Sequence, residues 1–474
     1  MDNSKLISLL RTFSTKEIRE FKDYVASPFF NKNQELVLFY EQLRKLAPKF
    51  PLKKIKREVI YQTVFPKQPY DEKHLNYLMS FLLKLAEQYI GYQQYSQQNI
   101  LKNQHILQSC IERDLEKHYQ NIYNKAQAAL EKLPYRDHDF YFQQYLLAAI
   151  GNRHFKKKRI RKFDPHLQET ADYFDWYYLS NKLKLSCEML DRQKFLSANY
   201  QQSLMEEIDQ FLTLHPIDNI PPIAIYYCIF QMLTKEDGSP YFNQLKGLLD
   251  QHFHHFQKEE MMEMYLYAIN FCIRKIREKK EHYVEETLNL YLKTIEDGLL
   301  FENSLLSPWT YKNVVKLGLR LQRFDWTETF ILKYNPYIKE DFRSNSLHLN
   351  LADLFYYKKD YDQALSNLNK VALSDVFYTL QAKVMLLKIY YETKEEEALY
   401  SLIASFRIFL KRNKLISNNV RKTYHNFNHL LHQLLKENKL EETRQLIINT
   451  QLLTDRQWLL DVCQQRMLAA NLSD

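Results

Sequence analysis

Arg153 to Lys162 reads RHFKKKRIRK, with seven cations (Arg153, Lys156, Lys157, Lys158, Arg159, Arg161 and Lys162) and no acid. Cations at that density can neutralise phosphates, and about seven such contacts would make nucleic-acid binding steeply salt-dependent. The same residues also suit the loop after a helix C-terminus, where positive charge complements the helix dipole. The chain carries 66 basic and 57 acidic residues, a formal charge of +9, and outside this segment the two signs nearly cancel. A nucleic-acid interface would therefore rest on this one loop.

Other residue types that do chemistry are scattered. His252, His254 and His255, with Glu259 four residues beyond His255, could offer two or three metal ligands from one turn. Phe253 and Phe256 interleave with them as core side chains do, and no HExxH accompanies them, so no metal is expected. The carboxylate runs Glu259-Glu260, Glu285-Glu286 and Glu395-Glu396-Glu397 read as solvated helix faces, because an acid–base dyad needs burial to separate its two pKa values. No serine, cysteine or histidine sits in a nucleophile signature. The chain has six glycines, none in a GxGxxG or GxxxxGK[ST] arrangement, which excludes the usual phosphate cradles. The expectation is a protein with no catalytic residue and no cofactor.

Tyrosine is abundant, with 35 residues. Tyr356-Tyr357 and Tyr390-Tyr391 recur near the ends of two predicted helices, where tyrosine supplies contact area to a partner at little entropic cost. Lys312, Arg323 and Lys383 would add polar contacts to the same surface. Packing between neighbouring helix pairs is the other use such tyrosines have.

The elements that would carry these residues are helical throughout. Glycine is scarce, and no proline falls between Pro69 and Pro134 or after Pro336. A helical head is expected over residues 1–95, opened by the capping box Ser14-Thr15-Lys16-Glu17. A long-helix middle region follows over 96–215, including one amphipathic helix from about Gln104 to Leu133, stopped by Pro134. Pro216 to Pro222 (PIDNIPP) reads as the main hinge. Helix pairs fill 223–474, ending with one over about 420–436 and 440–450. Their spacing is regular: Ala364 and Ala398 are 34 residues apart, as are Gly318 and Ala352. Thr329, Ala364 and Ala398 are expected to be the small residues of the second helices, and Gly318 and Ala352 those of the first.

Residues from about 260 to 450 thus resemble divergent tetratricopeptide (TPR) repeats, with Leu351, Ala352, Phe355, Tyr361, Ala364 and Leu368 on the pattern. The strings FNKN (Phe30–Asn33), SPWTYKN (Ser307–Asn313) and DVFYTLQAKV (Asp375–Val384) also make the wider chain similar to a family of uncharacterised bacterial helical proteins. The resemblance implies an all-α, TPR-like α-solenoid with an N-terminal helical head, binding an unknown peptide or protein partner on its concave face. TPR arrays that clamp a terminal carboxylate use Lys and Asn at first-helix positions that here hold Val315, Leu319, Asn350, Leu380 and Val384. Only Asn350 agrees, which argues against chaperone-tail binding. The longest apolar run, Ile223 to Phe230, is too short to span a bilayer, and no signal peptide is recognisable. Five dispersed cysteines suit reduced thiols. A cytoplasmic location follows as the expectation.

Overall fold

Helix ends in this chain are set by capping side chains and by one recurring turn rather than by glycine. The computed structural model describes residues 4–51, 56–159, 161–195, 199–372, 375–436 and 439–471. Among these lie 23 α-helices and a single two-residue strand pair, Phe301–Glu302 antiparallel to Leu305–Leu306. The all-helical expectation holds. The chain divides into two compact units, Met1–Met189 with Ala198–Tyr227, and Leu190–Ser197 with Cys228–Asp474. No helix among the described residues is long and apolar enough to cross a membrane. All five cysteines are buried and free.

The first unit begins with α1 (Lys5–Leu10), α2 (Thr15–Ala26), α3 (Gln34–Arg44), α4 (Arg57–Val64) and α5 (Glu72–Gln97). Ser14 and Glu17 form the capping box at α2, and Asp71 accepts two amides at the start of α5. Phe21, Phe39, Tyr40, Leu78 and Leu82 are fully buried in one core, and the Tyr40 hydroxyl donates to the Ile18 carbonyl at 2.8 Å. Then come α6 (Asn99–Glu112), α7 (Glu116–Glu131), α8 (His138–Lys157), α9 (Pro165–Phe195) and α10 (Met205–Leu214). The single helix expected over 104–133 is thus two, α6 and α7, turned at Asp114. No glycine or proline announces that turn.

After α11 (Pro221–Thr234) the second unit contains α12 (Ser239–His252), α13 (Lys258–Arg277), α14 (His282–Glu296), α15 (Pro308–Arg320) and α16 (Phe324–Tyr334). It continues with α17 (Glu340–Tyr357), α18 (Tyr361–Leu368), α19 (Val376–Glu392), α20 (Glu396–Arg412), α21 (Asn418–Leu435), α22 (Leu440–Asn449) and α23 (Arg456–Asn471). The last helix follows the pair expected to end the chain. Successive helices pack on one another from α12 to α23, and α17 also touches both α15 and α19.

One turn closes five of the pairs. Asp114, Lys279, Gln322, Lys359 and Lys394 all have positive φ (55°, 65°, 56°, 62° and 61°, respectively). In each case the amide of the next residue reaches back five positions in the helix-terminating pattern: Leu115 to Cys110, Lys280 to Lys275, Arg323 to Gly318, Asp360 to Phe355 and Glu395 to Tyr390, all at 2.9–3.0 Å. Non-glycine residues therefore occupy a position glycine usually fills, and Gly298 is the only glycine with positive φ.

The close approach inside the α15–α16 pair uses Gly318. A Cβ there would meet the Thr327 Oγ1 at 2.4 Å and the Trp326 ring at 2.9 Å. Thr327 is fully buried, whereas Thr329, the residue expected at this contact, is exposed. The spacing of 35 to Ala364 was coincidental here: Thr327 and Ala364 are each the fourth residue of their helix.

Candidate functional site

Three neighbouring helices of the second unit, α15, α17 and α19, line a cavity of about 330 Å³, within the range typical of ligand pockets. Their starting residues decide what faces it. The Ser307 hydroxyl caps α15 with Pro308 in its first turn, so Trp309 and Lys312 fall one turn apart on one face. Asp375 caps α19 by accepting the amides of Phe377 and Tyr378 at 2.8 and 3.3 Å, and Gln381 follows a turn later. From α17 come Phe342, Ser346, Leu349 and Asn350, spaced as one helix face requires.

The lining is mainly apolar, with a few placed polar groups. Trp309 and Phe377 stand at 58% and 47% exposure, edge to face with ring centroids 6.2 Å apart. Both rings thus leave about half of their surface open to solvent. The Ser346 and Tyr378 hydroxyls share a hydrogen bond of 2.5 Å. Asn350 is 2% exposed; its amide nitrogen donates to the Ser346 carbonyl at 2.9 Å, while its Oδ1 has no partner among the described residues.

Lys312 is the only basic side chain in the lining, and its ammonium donates to Gln381 Oε1. Burial pushes its pKa down to about 8, and the neighbouring Lys316 charge adds to the effect, while Asp353 and Asp455 act against it. Lys316 itself meets Asp353 at 2.6 Å, and Lys388 meets Asp455 at 2.9 Å. Burial works against the Lys316 charge, but the Asp353 carboxylate outweighs it and holds that pKa above the usual lysine value. Burial likewise opposes the Asp455 charge, and Lys388 wins, keeping its pKa low. Of these three lysines, Lys312 alone has no carboxylate at ion-pair distance among the described residues.

The other residues singled out from the sequence lie elsewhere. Tyr356 is buried, donates its hydroxyl to Glu392 at 3.0 Å and lies under the Lys388 ammonium, an arrangement of helix packing. Tyr357 is 40% exposed, whereas Tyr390 and Tyr391 pack on the last core, Tyr391 edge-on to Trp458. Lys383 covers the Phe409 ring, and Arg323 pairs with Glu285. Trp309, Phe342, Phe377 and Gln381 were not picked out individually, yet SPWTYKN and DVFYTLQAKV contain seven of the cavity's lining residues between them. The missing signal was pairing in space between two strings nearly 70 residues apart.

In the basic segment, Lys157 pairs with Asp114 at 2.6 Å, and His154 and Lys158 both reach Glu116, at 2.9 and 2.7 Å. Arg153 bonds Gln108. Part of the positive charge is thus answered by the α6–α7 turn. Lys156, Arg159, Arg161 and Lys162 are exposed, and Ile160 lies outside the described residues. His252 and His255 bring their Nδ1 atoms to 3.2 Å. Among the described residues no group of three or more His, Cys, Asp or Glu is placed to hold a metal ion.

The chain matches no family model, no curated protein and no solved structure.

Proposed function

We propose that this chain is a non-catalytic helical-repeat scaffold whose concave groove binds a peptide or protein partner, with the cavity between α15, α17 and α19 as the anchoring point. The observation that carries this reading is the pair of half-exposed aromatic rings, Trp309 and Phe377, at an apolar cavity built on three rigid helices. The recurring turn and the contacts of α17 with both α15 and α19 support a TPR-like solenoid, in which first helices line the inner face. A display library of random peptides selected on the full chain tests it. Selected peptides should lose about thirty-fold in affinity, ~2 kcal/mol, on Trp309→Ala, and comparably on Phe377→Ala. Peptides that bind equally well to both variants would remove the groove from the reading.

A second reading, nucleic-acid contact through the loop 153–162, is favoured by Lys156, Arg159, Arg161 and Lys162, which are exposed and have no ion pair among the described residues. It predicts salt-sensitive RNA or DNA binding that is abolished by Lys156→Glu/Arg159→Glu, with peptide binding unchanged.

A further inference from the structure

The cavity's polar groups are unequal in a way that specifies its occupant. Lys316 and Lys388 each have a carboxylate at ion-pair distance, and Lys312 has only the neutral Gln381 oxygen. A cation held in a mainly apolar lining without an anion is an unfavourable arrangement for the free protein. The one acid in the lining, Asp375, is already engaged with the Phe377 and Tyr378 amides. Asn350, also in the lining, keeps its Oδ1 buried and without a donor among the described residues. The aromatic rings of Trp309, Phe342 and Phe377 supply the apolar seat.

Resting on the groove reading above, we propose that the cavity recognises an acidic peptide segment of a partner protein. One aromatic or branched apolar side chain sits against Trp309, Phe342 and Phe377, and an Asp or Glu side chain of the same segment pairs with Lys312. A side-chain carboxylate fits better than a chain terminus. Clamps for a terminal carboxylate gather several Lys and Asn donors around it, and Lys312 is the only ammonium in the lining. The neighbouring helix positions Val315, Leu319 and Leu380 are fully buried and apolar, so no further donor comes from them. A side-chain carboxylate can leave its second oxygen in solvent at the cavity mouth. The pairing is a charge-assisted hydrogen bond in a poorly solvated place, where such bonds are strongest.

The test uses the full chain and a library of random 12-residue segments flanked on both sides by carrier sequence, so that no free terminus is offered. Enriched segments should hold an aromatic or branched residue with Asp or Glu within about three positions. A selected peptide, synthesised with both termini blocked, should bind about ten-fold or more weakly when its acid is replaced by the matching amide. Lys312→Gln should cause a similar loss, and combining the two changes should add little. Melting curves confirm that Lys312→Gln is folded, and Lys312→Met serves as the second variant. If Trp309→Ala abolishes binding while the amide peptide and Lys312→Gln do not weaken it, the acidic assignment is wrong and the groove reading stands. If binding ignores Trp309→Ala, or no segment is enriched, the groove reading itself fails. Enrichment of basic segments, or binding that appears only with a free C-terminal carboxylate, also overturns the proposal.

Discussion

Replacing Gly318 by alanine sets two well-known effects against each other at one atom. Glycine inside a helix is about 1 kcal/mol less favourable than alanine, so propensity alone predicts that Gly318→Ala stabilises the protein. The structure predicts the opposite. The new Cβ would stand 2.4 Å from Thr327 Oγ1 and 2.9 Å from the Trp326 ring, both closer than van der Waals contact allows. Neither obstacle moves freely. Thr327 is fully buried and its hydroxyl donates to the Arg323 carbonyl at 2.7 Å, and the Trp326 ring stacks on Phe330 with centroids 5.4 Å apart. Overpacking of this kind costs about 1–3 kcal/mol, so the net expectation is a loss of up to about 2 kcal/mol once the propensity gain of about 1 kcal/mol is subtracted. Denaturant unfolding followed by tryptophan fluorescence measures it, since Trp326 lies at the contact itself. Thr327→Ala removes the nearer obstacle, so the Gly318→Ala/Thr327→Ala pair should be more stable than the sum of the single losses by about 1 kcal/mol. A Gly318→Ala variant that gains stability, with effects that simply add to those of Thr327→Ala, would refute the claim that α15 and α16 meet at this residue.

Three more expectations are open to measurement. Gln322→Gly and Lys394→Gly, at the left-handed turn positions with φ of 56° and 61°, should each raise stability by about 0.5–1 kcal/mol, because relief of the Cβ strain exceeds glycine's added chain entropy; urea midpoints report it. Lys312 binds protons more weakly folded, with a pKa of about 8, than unfolded, with the ordinary lysine value of 10.5, so the unfolded state holds the extra proton between those values and stability rises with pH across that window. Lys312→Met should therefore stabilise the ligand-free chain at pH 7 by up to about 3 kcal/mol and flatten that rise, which paired melts at pH 7 and pH 10 would show. Duplex DNA binding through the loop 153–162 should have a log–log salt slope no steeper than about −4, set by the four cations with no side-chain partner among the described residues rather than by all seven; a slope near −6 would mean that the Asp114 and Glu116 pairs open on binding.

The cavity was legible from the sequence only in pieces. Lys312 stood out as a cation on a first helix, and the strings around Trp309 and Phe377 stood out as strings, but nothing local says that residues nearly 70 positions apart share one wall. The tyrosine pairs show the converse. Their even spacing along the chain is real, yet Tyr356 is committed to Glu392 and Lys388, and Tyr391 to Trp458. Counted back from the turn residues Lys359 and Lys394, Tyr356 matches Tyr391 and not Tyr390, so a spacing of 34 neither marks equivalent places nor tells an inner face from a packed one.

Helical character came from local physics: scarce glycine and proline, apolar residues at three- and four-residue spacing, and capping side chains such as Ser14, Asp71 and Asp375 whose hydrogen bonds reach only three residues. Interactions of that range are written in consecutive residues and survive without tertiary context. The turn at Asp114, the contact of Gly318 with Thr327 rather than Thr329, and the unequal fates of Lys312, Lys316 and Lys388 were decided by packing between helices. Whether a lysine has an anion depends on which helix lies opposite it, and the chain order of residues does not contain that information.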